Sequence, residues 1–303
     1  TWKQTYSKCH SPNTTVGRST PLKVQGVFSD TLFTPWLLGT MQMQSCWIKT
    51  QSVDRRSNLS KADFEKEYET ASRPVIITDV VPTWPAYTKW TDEHLIKCFG
   101  DNAVKVAGSN MTFENFLKYS TQNNDERPLY LFDSRFANKS PSLAQDYSVP
   151  VYFKDDFFQH LGKTRPDYRF LIMGPSRSGS SFHVDPNGTC AWNAMIRGRK
   201  KWILYPPNVT PPGILPNGNT FSAKTSLTEW FIEYYDSIAE GPEEDRPLEC
   251  VTEAGDIMFV PSGWWHCVIN VEPSMVCRYN RWCCCCYYYV VVVVVVAGVV
   301  ATV

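Results

Sequence analysis

Two of the five histidines in this sequence, His183 and His266, lie in strand-like segments beside turns. In "SSFHVDPNG", His183 and Asp185 are two residues apart, so strand alternation places both side chains on one face. A lone His-x-Asp is also typical of a polar strand end. If His266, in "PSGWWHCVINV", lies on a neighbouring strand, two imidazoles and one carboxylate could bind one metal ion. Such a set leaves ligand positions open, which is typical of non-haem Fe(II) oxygenases.

Lys200 is the next residue that could take part in chemistry. It lies in "GRKKWILYPP", where alternation sends it to the face opposite Arg199 and Lys201. A lysine inside an apolar barrel is costly unless it meets an anion, so Lys200 is a candidate partner for the far carboxylate of a metal-chelating dicarboxylate. Asn193, on the strand between, can donate a hydrogen bond to the same ligand. The alternative is an exposed basic turn, because Arg197 and its basic neighbours surround Lys200.

The two tryptophans before His266 are assigned to opposite faces by the same alternation. The preferred interpretation is that Trp264 and Trp265 are both core aromatics. The alternative is that Trp264, which shares the face of His266, helps to wall the metal pocket while Trp265 packs on the opposite face.

Short strands bounded by Gly and Pro turns must hold these residues, and they favour an antiparallel sandwich or barrel over a parallel α/β sheet. Helices are predicted in "NLSKADFEKEYE", capped by Ser60, and in "WTDEHLIKCFG", between Thr91 and Gly100. Further helices are predicted in "MTFENFLKYS", "DDFFQHLG" and "SLTEWFIEYY". The predicted strands include "PVIITDVV", "LYLFD", "YRFLIMG", "CAWNAMIRG", "LECVTEAGD" and "SMVCRYN".

Composition sets outer limits on the function. The chain has 303 residues, enough for one large domain or two modest ones, and its aromatic content of 14% suits a β-rich core. The formal net charge of zero predicts no polyanionic partner and disfavours nucleic acid. Of the eleven cysteines, four form one run and the others show no CxxC pairing, so we expect reduced thiols rather than a disulfide framework.

The two ends of the sequence are unusual. It begins at Thr1 rather than Met, which predicts a fragment. Residues 283–303 carry no charge and are long enough for a membrane span, but they consist of runs of Cys, Tyr and Val. We therefore expect an anomalous low-complexity tail, produced by mistranslation or mis-splicing, rather than a membrane anchor.

Together, "YRFLIMGPSRSGSSFHVDPNGTCAWNAMIRGRKKWILYPP" and "EAGDIMFVPSGWWHCVIN" closely resemble the JmjC-domain 2-oxoglutarate oxygenases. The most similar branch contains the bifunctional arginine demethylase and lysyl hydroxylase once called the phosphatidylserine receptor. The resemblance runs from about Asp54 to Val276 and includes "RPVIITDVVPTWPAYTKW" and "PLYLFDS". It implies a mainly β, α+β fold with flanking helices, built on a cupin-type double-stranded β-helix, or jelly roll.

The resemblance also implies a full set of site residues and co-substrates. Fe(II) would be held by His183, Asp185 and His266, with 2-oxoglutarate and O2 as co-substrates. The 2-oxoglutarate would be held by Lys200, Asn193, Tyr130 and Ser180, with Asn280 nearby. The family couples decarboxylation of 2-oxoglutarate to hydroxylation of a substrate carbon, and on a methylated nitrogen the product collapses to formaldehyde.

The sequence departs from the family near its last barrel strand. In "MVCRYN", Arg278 stands where the family carries a small polar residue, although Asn280 fits. The C-terminal helices that support dimerisation in the family are replaced by the Cys, Tyr and Val runs. These departures put the activity of this chain in doubt, but not the chemistry of the family.

The predicted organisation has four parts: an irregular segment at 1–57, a mixed support region at 58–135, the cupin core at 136–282 and the tail at 283–303. The first part resembles the segment that follows an F-box, which predicts a ubiquitin-ligase partner if an F-box precedes it. The expected substrate is a protein, such as a histone or an RNA-processing protein, in the nucleus or cytoplasm, and the full-length protein is expected to form a homodimer.

Three alternative functions stay open on the sequence alone. A zinc hydrolase would use the same triad but leave Lys200 and Asn193 without a clear role. A non-catalytic adaptor would keep the fold without the activity, and an oxygenase of the same fold could modify RNA. Lysyl hydroxylation and demethylation of arginine or lysine all suit the predicted site.

Overall fold

The strands of the computed structural model form two facing sheets and a small hairpin. The structure describes residues 37–217, 220–223, 226–240, 242 and 246–282. In chain order the strands are β1 (Asp54–Arg56), β2 (Val75–Ile77), β3 (Val104–Val106), β4 (Ser109–Met111), β5 (Leu131–Asp133), β6 (Arg169–Gly174), β7 (Gly179–His183), β8 (Cys190–Arg197), β9 (Arg199–Tyr205), β10 (Ile214–Asn217), β11 (Thr220–Ala223), β12 (Leu248–Glu253), β13 (Ile257–Val260), β14 (Trp265–Asn270) and β15 (Ser274–Arg281).

The helices lie mainly before the strands that form the barrel. They are α1 (Lys61–Phe64, continued by a π-helical turn, Glu65–Glu69), α2 (Pro85–Lys89), α3 (Asp92–Phe99), α4 (Phe113–Gln122), α5 (Phe136–Lys139) and α6 (Leu227–Glu240). Short 3-10 segments occur at Ser45–Ile48, Val81–Thr83, Pro141–Gln145, Val151–Phe153, Phe157–Thr164 and Pro186–Gly188.

The larger sheet has the strand order β1-β2-β13-β8-β15-β6-β5-β3-β4, and the smaller one has the order β12-β9-β14-β7. Apart from the parallel β1–β2 pair, the paired strands are antiparallel. Met258 of the larger sheet and Trp202 of the smaller one belong to one buried cluster, so the two sheets pack face to face. This arrangement confirms the predicted mainly β jelly roll with flanking helices.

Each outer face of this sandwich is covered by its own apolar layer. Helices α1–α5 pack against the larger sheet, where Trp192 of β8 stacks on Phe153. Helix α6 packs against the smaller sheet, where Trp230 meets Phe182 of β7. Strand β8 is therefore buried on both faces, which explains why its sequence is largely apolar rather than alternating.

Local signals in the sequence explain several boundaries. The side chains of Ser60 and Thr91 accept hydrogen bonds from backbone amides three residues later, so the predicted helix caps are confirmed. Gly198, with φ of 81°, joins β8 to β9, and a Cβ there would lie 2.3 Å from the carbonyl oxygen of Pro273. This close approach and the positive φ together require glycine at the turn between the two strands.

Two expectations need correction. The segment Phe157–Thr164 is a 3-10 helix rather than a regular α-helix, and Gly162, with φ of 53°, interrupts it. Cys98, Cys190, Cys250, Cys267 and Cys277 form no disulfide, as expected, but Cys46 is disulfide-bonded. The segments 1–36 and 283–303 lie outside the described residues, and the four-part division of the chain stays a prediction.

Candidate active site

His183, Asp185 and His266 converge at one end of the smaller sheet. His183 is the last residue of β7 and pairs directly with His266 of β14, and the two rings lie 4.2 Å apart between centroids. The Oδ1 atom of Asp185 lies 3.7 Å from Nε2 of His183 and 3.8 Å from Nε2 of His266. One ligand atom from each residue falls within 4.8 Å of the others, so the predicted triad forms a single cluster.

Asp185 reaches this cluster from a turn rather than from the strand. Strand β7 ends at His183, and Asp185 immediately precedes the 3-10 turn Pro186–Gly188. Its backbone is still extended, with φ of −62° and ψ of 137°, so the side chain keeps the direction that alternation predicted.

Backbone carbonyls orient both imidazoles. Nδ1 of His183 lies 2.8 Å from the carbonyl oxygen of Ser181, and Nδ1 of His266 lies 3.0 Å from that of Trp264. A carbonyl oxygen only accepts, so in each ring Nδ1 carries the proton and Nε2 keeps its lone pair. Both lone pairs therefore point into the cluster, as the ligands of a divalent metal require.

The charge states of the three residues also suit a metal. Burial lowers the pKa of His183, and burial together with the neighbouring His183 lowers the pKa of His266 to about 3, so both rings are neutral at pH 7. Burial alone would raise the pKa of Asp185, but Arg278 and the two histidines lower it below its usual value. Its Oδ2 atom is buried without a hydrogen-bond partner among the described residues. Two neutral imidazoles, one carboxylate and an unsatisfied carboxylate oxygen fit a divalent ion such as Fe(II).

A β-bulge in β7 brings Ser180 to the same interior as His183. His266 pairs with His183 and Val268 pairs with Ser180, so three steps along β7 match two steps along β14. Without this extra residue, Ser180 and His183 would point to opposite faces. Ser180 instead lines the cavity behind the triad, and its hydroxyl lies 3.4 Å from that of Tyr130.

Lys200 lies deep in this inner cavity. It projects between the sheets from β9, is buried, and forms no ion pair within the described part of the chain. Burial, together with the nearby Arg278, lowers its pKa to about 7. Its neighbour Lys201 is also buried, on the opposite face, which excludes the exposed basic turn. An unpaired buried ammonium is stabilised by an anion, so its environment fits the far carboxylate of a dicarboxylate.

The other predicted co-substrate residues fall into two groups. Asn193 and Tyr130 line the inner cavity with Lys200 and Ser180. Asn280 lines the outer cleft instead; its amide donates to the hydroxyl of Thr189 at 3.0 Å. The sequence did not indicate this division between two cavities, and Tyr130 and Ser180 line both of them.

Arg278 lies at the junction of the two cavities and lines both. Its Nη2 donates to Oδ1 of Asp185, and its Nε donates to Oδ1 of Asn280 at 3.0 Å. The inner cavity has a volume of about 20 Å³, which is room for about one water molecule. Arg278, which departs from the family pattern, therefore contacts Asp185, a residue of the metal cluster.

Sequence reasoning missed one aromatic residue of the site. Trp264 lines neither cavity; it is a buried core residue, as preferred from the sequence, and its indole donates to the backbone oxygen of Ser72 at 2.9 Å. Trp202 lines the inner cavity instead, with its ring centroid 6.2 Å from that of His266. Because Trp202 shares a strand face with Lys200, the period of two contained the signal that could have found it.

The outer cleft, with a volume of about 460 Å³, opens from the triad to the surface. Its walls include Phe132 and Phe170, whose rings lie 4.7 Å apart, and Tyr168. Asp167 lies on the same wall and accepts a hydrogen bond of 2.7 Å from Ser134. A cleft of this size beside a metal cluster has room for a side chain or a short peptide segment.

The jelly roll and the two-His, one-carboxylate cluster define a cupin-type metalloprotein, and comparisons with known proteins identify its family. Residues 100–283 match the cupin-like domain family. The chain is 43% identical over 284 residues to the arginine-specific demethylase JMJ22 of Arabidopsis thaliana, covering 92% of this chain and 56% of that protein. The chain therefore belongs to the cupin-like family, and the predicted resemblance to JmjC-domain oxygenases is confirmed.

Two further relatives come from animals. The chain is 38% identical over 242 residues to the bifunctional arginine demethylase and lysyl-hydroxylase psr-1 of Caenorhabditis elegans, covering 76% of this chain and 60% of that protein. It is 31% identical over 255 residues to the 2-oxoglutarate and iron-dependent oxygenase JMJD4 of Danio rerio, covering 75% of this chain and 59% of that protein. The chain thus spans between half and two thirds of the length of these three relatives.

Proposed function

We propose that this chain is the catalytic domain of an Fe(II)- and 2-oxoglutarate-dependent oxygenase that acts on protein side chains. The observation that carries the proposal is the unpaired ammonium of Lys200, which lies behind a cluster of two neutral imidazoles and one carboxylate. A zinc hydrolase would give Lys200 no role. A metal-chelating dicarboxylate gives it one, because its far carboxylate would neutralise the buried charge.

Each residue of the site has a distinct role in this proposal. His183, Asp185 and His266 would hold Fe(II), which with 2-oxoglutarate and O2 supplies the oxidising chemistry. Lys200 would bind the far carboxylate, with Tyr130, Ser180 and Asn193 as hydrogen-bonding groups around the same molecule. Because the inner cavity has room for about one water molecule, this binding requires a lining side chain, such as that of Arg278, to move away. Asn280 would act from the side of the outer cleft. The carbonyl oxygens behind both histidines keep the rings in the tautomer that binds metal.

The outer cleft supports a cationic substrate side chain. Phe132 and Phe170 offer aromatic rings, and Asp167 offers a carboxylate on the same wall, whereas the ring of Tyr168 already stacks against the guanidinium of Arg165. Aromatic rings and carboxylates both attract ammonium and guanidinium groups. Lysine and methylated arginine are therefore the proposed substrates, in accord with the activities named for JMJ22 and psr-1.

Turnover of candidate peptides, followed by mass spectrometry, tests the proposal. With Fe(II), 2-oxoglutarate and O2, a lysine peptide should gain about 16 Da or a methylarginine peptide should lose about 14 Da. His183→Ala should abolish both this change and the consumption of 2-oxoglutarate, because it removes a metal ligand. The matched control is His160→Ala, at an exposed position, which should leave turnover unchanged.

Two results would contradict the oxygenase proposal. If the wild-type protein binds metal but does not consume 2-oxoglutarate with any peptide, the adaptor hypothesis replaces it. If His183→Ala retains turnover, the metal ligands are assigned incorrectly.

Several expectations about the whole protein also stand as proposals. We propose a protein substrate in the nucleus or cytoplasm, a homodimer in the full-length protein, and a ubiquitin-ligase partner if an F-box precedes this segment. No helix in the described ranges is both long enough and apolar enough to span a bilayer. The apolar tail, residues 283–303, lies outside those ranges.

A further inference from the structure

The guanidinium of Arg278 places a positive charge of the protein itself beside the metal cluster. The guanidinium of Arg278 donates to Oδ1 of Asp185, the oxygen that lies 3.7 and 3.8 Å from the two histidine Nε2 atoms. Both partners are buried, with side chains 10% and 4% exposed. A charge-assisted contact of this kind is among the stronger polar interactions in a protein interior.

The position of Arg278 is fixed by its own strand. It lies on β15 opposite Asn193 of β8 and Phe170 of β6, so its side chain extends between the sheets. Its Nε donates to Asn280, two residues along the same face. The guanidinium is therefore held against Asp185 from one side by its own strand and from the other by the carboxylate.

A divalent metal would have to share Asp185 with this guanidinium. Within the described residues, Asp185 is the one carboxylate of the ligand cluster. With Arg278 in place, a metal ion adds two positive charges beside an arginine and near Lys200, which also lines the inner cavity. The electrostatic repulsion is substantial in a buried site, so metal binding and the Arg278–Asp185 contact oppose each other.

We propose that Arg278 is a tethered cation that competes with the divalent metal for Asp185, so that metal enters only when this guanidinium moves away. The proposal rests on the assignment of His183, Asp185 and His266 as metal ligands. It assigns to Arg278 a role that a small polar residue at this position could not perform, namely weakening the affinity of the site for metal.

Metal affinity, measured without catalysis, tests this competition. Titration of the metal-free protein with Mn²⁺ by isothermal calorimetry gives the dissociation constant directly. Arg278→Thr should bind Mn²⁺ about tenfold to a hundredfold more tightly than the wild type, because the metal no longer displaces a charged hydrogen bond. Arg278→Gln keeps a polar group beside Asn280 without the charge, and it should also bind Mn²⁺ more tightly than the wild type. This second variant tests the competition if the threonine variant folds poorly.

A matched arginine elsewhere controls for nonspecific effects. Arg165 also forms a buried ion pair, with Asp156, but it lies outside the metal cluster. Arg165→Thr should leave the Mn²⁺ affinity unchanged.

The possible results separate this inference from the proposed function. If Arg278→Thr binds Mn²⁺ no more tightly than the wild type, the competition is refuted while the metal site stands. If neither protein binds Mn²⁺, and His183→Ala behaves the same way, the metal-site assignment fails and the inference fails with it.

Discussion

Lys200 and Lys201 are adjacent, both buried and of the same residue type, yet their surroundings differ completely. Lys201 lies on the outer face of the smaller sheet, where its ammonium is 2.6 Å from Glu249. Glu249 also accepts a hydrogen bond of 2.9 Å from Tyr235 of α6. The positive charge of Lys201 is therefore neutralised by a carboxylate of the protein itself. Lys200 lies between the sheets and has no anion beside it in the described structure. One lysine therefore stabilises the fold, and the other leaves a charge for a ligand to neutralise.

The largest expected effect is on binding at Lys200. Lys200→Ala leaves the far carboxylate of 2-oxoglutarate buried and unpaired, a penalty of roughly 3–5 kcal/mol. The dissociation constant of 2-oxoglutarate, titrated into the Mn²⁺-loaded protein, should rise about a hundredfold to several-thousandfold. Lys200→Arg should rescue little, because a planar guanidinium needs different room. Mn²⁺ binding should persist in both variants. An unchanged dissociation constant would mean that Lys200 does not contact the co-substrate.

Lys201 should show the opposite pattern, with an effect on stability rather than on binding. Lys201→Met leaves Glu249 buried without its counter-charge and should lower the free energy of unfolding by about 3 kcal/mol, measured by urea denaturation. Lys201→Met combined with Glu249→Gln should recover part of the loss. Arg199→Ala is the control, since its pair with Glu272 is largely exposed and should contribute less than about 1 kcal/mol. A Lys201→Met protein of normal stability that binds 2-oxoglutarate weakly would reverse the assignment of the two lysines.

A smaller, pH-dependent effect sharpens the same comparison. The pKa of Lys200 is lowered to about 7 in the folded protein, whereas an unfolded lysine titrates near its ordinary value of 10.5. Between these values the unfolded chain binds more protons, so this group makes stability rise with pH, by at most about 1.4 kcal/mol per pH unit. The difference in unfolding free energy between wild type and Lys200→Met, followed from pH 7.5 to 9.5, isolates the contribution. No change in that difference would indicate that Lys200 keeps its ordinary pKa.

Strand alternation predicted much of this architecture. It separated Lys200 from Lys201, and it placed His183 and Asp185 on one side, because a period of two needs no knowledge of the partner strand. The helix caps at Ser60 and Thr91 were readable for the same reason, since a cap is satisfied within four residues of its own chain.

Features that depend on pairing between distant strands could not be predicted in this way. The bulge in β7 is visible only when its register against β14 is known. The contact between Arg278 and Asp185 joins residues 93 positions apart, so the sequence marked Arg278 as unusual without showing which residue it would meet. The hydrogen bond from the indole of Trp264 to Ser72 joins residues 192 positions apart, so strand alternation alone could not show that Trp264 lies outside the metal pocket.

The bulge in β7 also determines which kinds of genetic change the site can tolerate. In a regular strand the side chains alternate between two faces. Because of the extra residue, the side chains of residues 180–183 lie in three different environments. Ser180 and His183 point inward, Ser181 lies at the outer cleft, and Phe182 packs outward against α6. Substitution alters one of these environments at a time. Deletion of Ser181 would keep Ser180 and His183 inward, but it would remove both the residue at the cleft and the carbonyl that holds the ring of His183. At this point of the fold, a one-residue deletion would therefore disturb the wall of the cleft and the orientation of a metal ligand together.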